Sequence, residues 1–244
     1  MRAVWATYTR ELRAYFFAPL AYVVLFFFLI VTGVIFINLI GSLVDPRVMA
    51  PDPALSYFFR SSWLMLILLA PVLTMRLISE ELRSGSIEIL MTAPITEAQV
   101  VAGKYLAAFT FYACLWLPTL VYALLIARQS DVDWGPVAAG YVGILGIGAL
   151  LLAVGTFASA MTRSQLVAAM VGVALVFLLF LLGIFEGQVD TEWLKQGVSY
   201  VNLWDHIDEF ARGIVDTRRL AYYGTGVLFF LFLATRALED RKWR

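Results

Sequence analysis

Two groups of polar side chains in this chain have the residue types and spacing to do chemistry. The first surrounds the single histidine, where Asp205, His206, Asp208 and Glu209 follow one another closely. Imidazole and carboxylate groups are ligands for divalent cations. A single histidine cannot form a multi-histidine site within one chain, and such charge clusters are usually solvated helix faces. We therefore predict no metal here and expect a solvated helix face beside an apolar stripe made of Leu203, Ile207, Phe210 and Ile214.

The second group lies in the stretch RLISEELRSGSIEILMTAPITEAQVVAGKYLAAF, residues 76–109, which is polar while its flanks are apolar. The adjacent Glu80 and Glu81, followed by Arg83, can form ion pairs. We expect the helix that precedes them to continue through Arg83. Gly85 then permits a left-handed turn that ends this helix.

A short helix is predicted after this turn. Ser86 can cap it, Glu88 lies in its favourable first turn, and Pro94 ends it. Thr96 and Gln99 then form a capping box, which predicts that the next helix begins at about Thr96. Lys104 is expected at the membrane boundary. The short helix would present an apolar surface made of Ile87, Ile89, Leu90 and Met91.

Motifs of nucleotide-hydrolysing and other enzymes are missing from the sequence. Gly103-Lys104 is followed by Tyr105 and lacks the upstream glycine of a G-x-x-x-x-G-K-[ST] loop. Neither H-E-x-x-H nor G-x-S-x-G occurs. We therefore predict a chain that is not an enzyme, with no catalytic residues and no cofactor of its own.

The elements that position these residues are membrane spans. The chain has 244 residues, of which 61% are hydrophobic and only 15% are charged, whereas a soluble domain has about 25% charged residues. Four of its apolar runs are long enough to cross the hydrocarbon core. Two shorter runs, residues 61–75 and 220–235, are counted as spans because arginines at both ends can snorkel to the interfaces. We predict an all-α integral membrane protein with one transmembrane domain, residues 1–244, and six transmembrane helices at residues 20–40, 59–78, 105–127, 136–160, 165–185 and 218–236.

The segments outside the spans have patterns of their own. Residues 1–19 carry aromatic side chains on one helical stripe and cations on the other face, which predicts an amphipathic helix in the membrane interface. Residues 186–217 form an extracytoplasmic loop, in which we expect two short amphipathic helices and a cap at Gly213. Span four is rich in glycine, which favours close helix packing.

The charges of the loops set the orientation. With both termini on one side, that side holds 11 of the 18 Lys and Arg residues and the other side holds 7. Lys and Arg are enriched in cytoplasmic loops. We therefore expect both termini in the cytoplasm and residues 79–104 in a cytoplasmic loop.

The stretch at residues 76–109 resembles the first cytoplasmic loop of ABC-2 type transporter permeases. The features that match are the glutamate pair, Gly85-Ser86, Glu88, Pro94 and Gly103-Lys104. The segments RELRAYFFAPLAYVV and HIDEFARGIVDTRR are similar to the gliding-motility and nitrous-oxide-accessory subgroup of these permeases. The resemblance covers nearly the whole chain. It implies a protein of the bacterial plasma (inner) membrane.

This resemblance implies a half-transporter whose ATP and Mg²⁺ are bound by a separate ABC ATPase subunit. Two permease chains would pair, as a homodimer or with a sister permease. The ATPase would dock under the short helix, called the coupling helix. The residues implied in coupling are Glu80, Glu81, Arg83, Gly85, Ser86, Ile87, Glu88, Leu90 and Pro94, with Lys104 at the membrane boundary.

Three functions compete at this point. The first is an ABC permease that exports or extracts a substrate. The second is a mechanical relay, in which the ATPase acts through this chain on an extracytoplasmic auxiliary protein without transport. The third is an ion-coupled transporter, which would need ionisable groups at membrane depth. The middles of the predicted spans contain none, which argues against it. Membrane lipids are expected partners; zero formal net charge favours no nucleic acid.

Overall fold

The computed structural model describes residues 2–44, 53–85, 96–129, 131–184 and 192–242. Within these ranges the chain is helical, with short turns and no β-strand. The helices are α1 (Arg2–Phe17), α2 (Pro19–Val44), α3 (Ser56–Ser61), α4 (Trp63–Thr74), α5 (Ser79–Ser84), α6 (Glu97–Trp116), α7 (Leu120–Ala127), α8 (Trp134–Ala160), α9 (Gln165–Ile184), α10 (Glu192–Val201), α11 (Leu203–Ala211) and α12 (Thr217–Lys242). A 3₁₀ turn at Leu117–Thr119 joins α6 to α7. The predicted all-α class is confirmed.

Six segments of the described chain are long and apolar enough to cross a membrane. We number these spans one to six in chain order: Pro19–Leu43, Trp63–Ser84, Glu97–Ala127, Trp134–Ala160, Gln165–Ile184 and Thr217–Asp240. The predicted number of spans is confirmed, and the chain is a multi-pass membrane protein. Span two begins later than the predicted residue 59, because residues 56–61 form the separate helix α3.

Span four is the most buried span and packs against spans two, five and six. Its glycines allow aromatic side chains to approach the helix backbone closely. A Cβ atom on Gly148 would lie 2.3 Å from the ring of Tyr112, and one on Gly146 would lie 2.6 Å from the ring of Tyr223. The prediction of close packing at these glycines is confirmed.

Span two is interrupted, whereas the sequence predicted one helix through Arg83. The helix α4 ends at Thr74, turns follow at residues 75–78, and α5 begins at Ser79. The hydroxyl of Ser159 in span four accepts hydrogen bonds from the backbone N–H groups of Ile78 and Ser79, both at 3.1 Å, and donates one to the carbonyl of Met75. A side chain of another helix thus satisfies backbone groups freed by the interruption, as buried polar groups require.

The predicted amphipathic helix at the N-terminus forms as α1 and ends before Pro19, which starts α2. It packs along α6 at the start of span three. Gly103 permits this approach, since a Cβ there would lie 2.8 Å from Cβ of Thr7. The hydroxyls of Tyr8 and Thr110 lie 3.2 Å apart. Part of the predicted aromatic stripe therefore contacts the protein, while Trp5 is 67% exposed.

Candidate coupling site

The helix α5 carries the predicted acidic pair at the end of span two. Its six residues include Glu80, Glu81 and Arg83, and it ends at Gly85. Gly85 has φ 71°, which confirms the predicted left-handed turn. Of the remaining predicted coupling residues, Ser86, Ile87, Glu88, Leu90 and Pro94 lie outside the described residues.

The chain continues into span three through the predicted capping box. The Thr96 hydroxyl accepts a hydrogen bond from the backbone N–H of Gln99, and the Gln99 side chain accepts one from the N–H of Thr96. The helix α6 begins at Glu97, one residue after the predicted start. Both ends of the undescribed segment 86–95 are therefore fixed by local structure that the sequence encodes.

Four charged side chains from three helices meet beside these two ends. Arg10 and Glu11 come from α1, Glu81 from α5 and Lys104 from α6; we call them the charge cluster. The Lys104 Nζ lies 2.9 Å from Oε1 of Glu81 and 3.0 Å from Oε1 of Glu11. The Arg10 Nη2 lies 2.9 Å from Oε1 of Glu81 and 2.8 Å from Oε1 of Glu11. Two cations and two anions thus make a cluster of zero formal charge.

Burial makes this balance of charges necessary. Lys104 is only 2% exposed, although we expected it at the membrane boundary. A buried ammonium group is costly unless it is paired. Burial alone would raise the pKa of Glu11, but the attraction of Lys104 and the hydrogen bonds from Arg10 and Lys104 outweigh it and lower that pKa. Burial alone would lower the pKa of Arg10, but its bonds and attraction to Glu11 and Glu81 raise it.

One carboxylate oxygen of the cluster has no partner. Oε2 of Glu81 is buried and accepts no hydrogen bond from any group in the described part of the chain. An ionised carboxylate can accept several hydrogen bonds on its two oxygens. The cluster therefore offers one further acceptor beside the segment 86–95.

The structure separates the predicted polar residues into two sets. Glu81 and Lys104 join the charge cluster, whereas Glu80 and Arg83 are exposed. Oε1 of Glu81 is already paired within the chain, with Arg10 and Lys104. Arg10 and Glu11 were missed. The dipeptide Gly103-Lys104 could have indicated a helix packed beside Lys104, because a glycine next to a helical lysine allows another helix to approach.

The acidic group around His206 has a different environment from the one predicted. The loop forms the two expected short helices, α10 and α11, and Gly213 has φ 89° as its predicted cap requires. His206, however, is fully buried, so the solvated face predicted for it is wrong. Its Nδ1 lies 2.9 Å from the hydroxyl of Tyr223, and its Nε2 lies 2.8 Å from Nη1 of Arg219.

Arg219 connects this histidine to the acidic residues. Its guanidinium donates to both carboxylate oxygens of Glu209, with Nε–Oε2 at 3.2 Å and Nη2–Oε1 at 3.1 Å. It also donates to the carbonyl of Ser199 at 3.0 Å. Burial, together with the positive charge of Arg219, lowers the pKa of His206 to about 4. Both ring nitrogens are engaged by protein groups, so the histidine ties α11 to the start of span six.

Comparison with known proteins assigns the family. The model for ABC-2 family transporter proteins matches residues 54–203, which is more than half of the 244-residue chain. The match includes span two, the segment 86–95, spans three to five and most of the loop before span six. A search of curated proteins gave no match. Members of this family are transmembrane subunits, and the family implies an ABC ATPase as a partner. The chain belongs to the ABC-2 family of transporter proteins and is a permease subunit of an ABC transporter.

Proposed function

We propose that this permease couples ATP hydrolysis by a separate ATPase subunit to the export or extraction of a substrate. The charge cluster is the observation that supports this proposal. Glu81 lies five residues before the segment 86–95, and Lys104 lies nine residues after it. Because buried ion pairs join α1, α5 and α6, a force on this segment would move α1 and the adjoining ends of spans two and three together.

The proposed arrangement places the segment 86–95 against the ATPase. Both termini and this segment lie in the cytoplasm of a bacterium, on the inner face of its plasma membrane, in agreement with the 11 to 7 division of Lys and Arg. The apolar residues from Ile87 to Met91 fill a cleft on the ATPase, which binds ATP and Mg²⁺.

A second permease chain completes the proposed transporter, as an identical copy or a sister permease. Spans one, five and six are the least buried of the candidate spans in the described residues, which leaves apolar surface for lipid and a partner chain. We place the chain in the gliding-motility and nitrous-oxide-accessory subgroup on the two segments quoted above. An extracytoplasmic auxiliary protein fits the same proposal.

The first experiment tests the docking segment with Leu90→Asp. An unpaired charge buried in an apolar contact costs several kcal/mol, and each 1.4 kcal/mol is tenfold in affinity. We expect the ATPase to dissociate during co-purification, or its hydrolysis to lose sensitivity to the permease. The thermal stability of the permease alone should stay unchanged. An intact complex with normal ATPase activity would contradict the proposal, and so would a destabilised permease alone.

The same experiment includes the charge cluster. Because Glu81 is paired with a buried lysine, Glu81→Lys places a third cation beside Arg10 and Lys104 and should reduce both the permease stability and the yield of complex. Asp240→Lys is the matched control, since Asp240 is exposed and has no ion pair within the described residues. Equal effects of the two substitutions would remove the support that the cluster gives to the proposal.

A further inference from the structure

A cavity of about 240 Å³ lies between α1 and the adjacent ends of spans one and two. Its lining includes Ala18, which lies between α1 and α2. One end of its lining is apolar and includes Ala21, Val24 and Val72. The other end is charged and includes Arg76 and Glu80. Since spans one and two cross the membrane, this cavity lies where hydrocarbon gives way to headgroups.

Two charged side chains at the cavity have no partner within the described part of the chain. Arg76 and Glu80 are both exposed, and neither has a hydrogen bond or an ion pair with another described residue. Glu11 also lines the cavity, but its carboxylate is paired within the charge cluster. The cavity therefore presents one free cation, one free anion and an apolar wall within the described part of the chain.

We propose that this cavity binds a phospholipid with a primary amine in its headgroup, of the phosphatidylethanolamine class. Arg76 binds the phosphate, because a guanidinium forms charge-assisted, bidentate hydrogen bonds to phosphate oxygens. Glu80 accepts hydrogen bonds from the ammonium group. One acyl chain lies against Ala21, Val24 and Val72.

The charges favour this headgroup over other lipid headgroups. An anionic headgroup without an amine would satisfy Arg76 but would meet the carboxylate of Glu80. A trimethylated amine carries the positive charge but has no N–H to donate. A second permease chain over the cavity would cover its apolar wall, yet the free charges at its mouth match a zwitterionic ligand better. The inference rests on the membrane spans and is independent of the proposed coupling to an ATPase.

The experiment is native mass spectrometry of the full chain, stripped of lipid in detergent and titrated with lipids of identical acyl chains. Phosphatidylethanolamine should bind more tightly than phosphatidylglycerol or phosphatidylcholine. Arg76→Ala should weaken binding about tenfold or more, the usual effect of losing a charge-assisted hydrogen bond. Arg163→Ala is the matched control, because Arg163 is exposed, lies between spans four and five and does not line the cavity.

Two further variants separate the site from general damage to the protein. Glu80→Gln should weaken phosphatidylethanolamine binding and strengthen phosphatidylglycerol binding, a reversal that misfolding cannot produce. Ala14→Leu enlarges an exposed helical side chain that lines the cavity and should weaken both lipids.

Three outcomes of the mass spectrometry would overturn the proposal. The first is equal lipid binding by Arg76→Ala and Arg163→Ala. The second is a preference of the unaltered chain for phosphatidylglycerol or phosphatidylcholine. The third is a change in the oligomer mass of the cavity variants with no change in the amount of lipid that they bind, which would mean that a second chain occupies the cavity. Thermal unfolding is then measured with soluble glycerophosphoethanolamine, which lacks acyl chains and should leave the melting temperature of the chain unchanged. If it raised the melting temperature as much as the lipid does, the site would be assigned to a soluble phosphate ester.

Discussion

Lys104 shows how a single side chain takes its role from distant partners. In the sequence it is the one cation near the start of a long apolar run, which is typical of a residue at the membrane boundary. In the structure it is buried against Glu11, which is 93 positions earlier in the chain, and against Glu81. Burying an ammonium group is tolerable here because two carboxylates contact it. Lys104 could thus be identified from the sequence, whereas its partners Glu11 and Glu81 are brought to it only when the chain folds.

His206 gives a prediction at the same scale, about stability and pH. Its pKa is about 4 in the folded protein, below the ordinary value of 6.5. The unfolded chain therefore binds the proton at a higher pH than the folded chain does. The contribution of neutral His206 is complete above pH 6.5 and is lost as the pH falls from 6.5 towards 4. The difference between the two pKa values corresponds to about 3 kcal/mol.

Thermal unfolding in detergent between pH 7 and pH 4 measures this effect. We expect the melting temperature to fall with decreasing pH, and we expect a shallower fall in His206→Gln. This variant keeps a polar side chain at the buried position but cannot bind the proton. Parallel pH profiles for the two proteins would contradict the assignment.

Span four shows what one helix contributes to the packing of the others. Its buried glycines meet aromatic rings at distances that a Cβ atom cannot share. We expect Gly148→Ala to force Tyr112 out of place and to lower the free energy of unfolding by about 1–3 kcal/mol, the usual cost of overpacking. Gly224→Ala in span six is the matched control, because a Cβ there meets no atom within 4 Å. Thermal unfolding of both variants measures the difference, and equal melting temperatures would contradict the packing argument.

Span two is the element that the sequence described least well. Its apolar run correctly indicates a span, yet the turns at residues 75–78 divide it into α4 and α5. The run itself has no glycine at this point, and Pro71 lies one turn earlier. The division is stable because Ser159 of span four bonds to Met75, Ile78 and Ser79. The local sequence of residues 63–84 could not predict this division, because the side chain that stabilises it, Ser159, lies on another helix.

The whole molecule has a predicted orientation that labelling can test. In a Cys114→Ser background, which removes the single cysteine, Ser42→Cys and Ser84→Cys place one thiol near each side of the membrane. We expect a membrane-impermeant thiol reagent to label Ser42→Cys in intact cells, and to label Ser84→Cys only in inverted vesicles. The reason is the excess of Lys and Arg on the side that holds Ser84. The reverse pattern would overturn the orientation and the proposed position of the ATPase.

The sequence by itself determined the features that depend on neighbouring residues. Four long apolar runs and two shorter runs flanked by arginine predicted six spans, and six are found in the described residues, because a helix must be largely apolar to cross the hydrocarbon core. Gly85, Gly213 and the Thr96–Gln99 capping box were also predicted correctly, since helix ends are set by residues within one turn of them. These local rules hold wherever the segment is placed in the fold.

The tertiary structure alone decided the features that join distant segments. Arg10 and Glu11 of the N-terminal helix meet Glu81 and Lys104 only because α1 lies along α6, and His206 is buried only because α11 packs against span four and His206 contacts Tyr223 of span six. The residue types allow each of these side chains to be solvated or buried. The choice follows from which helices pack together, since burial of a charge is favourable only where a partner of opposite charge or a hydrogen-bonding group is already in place.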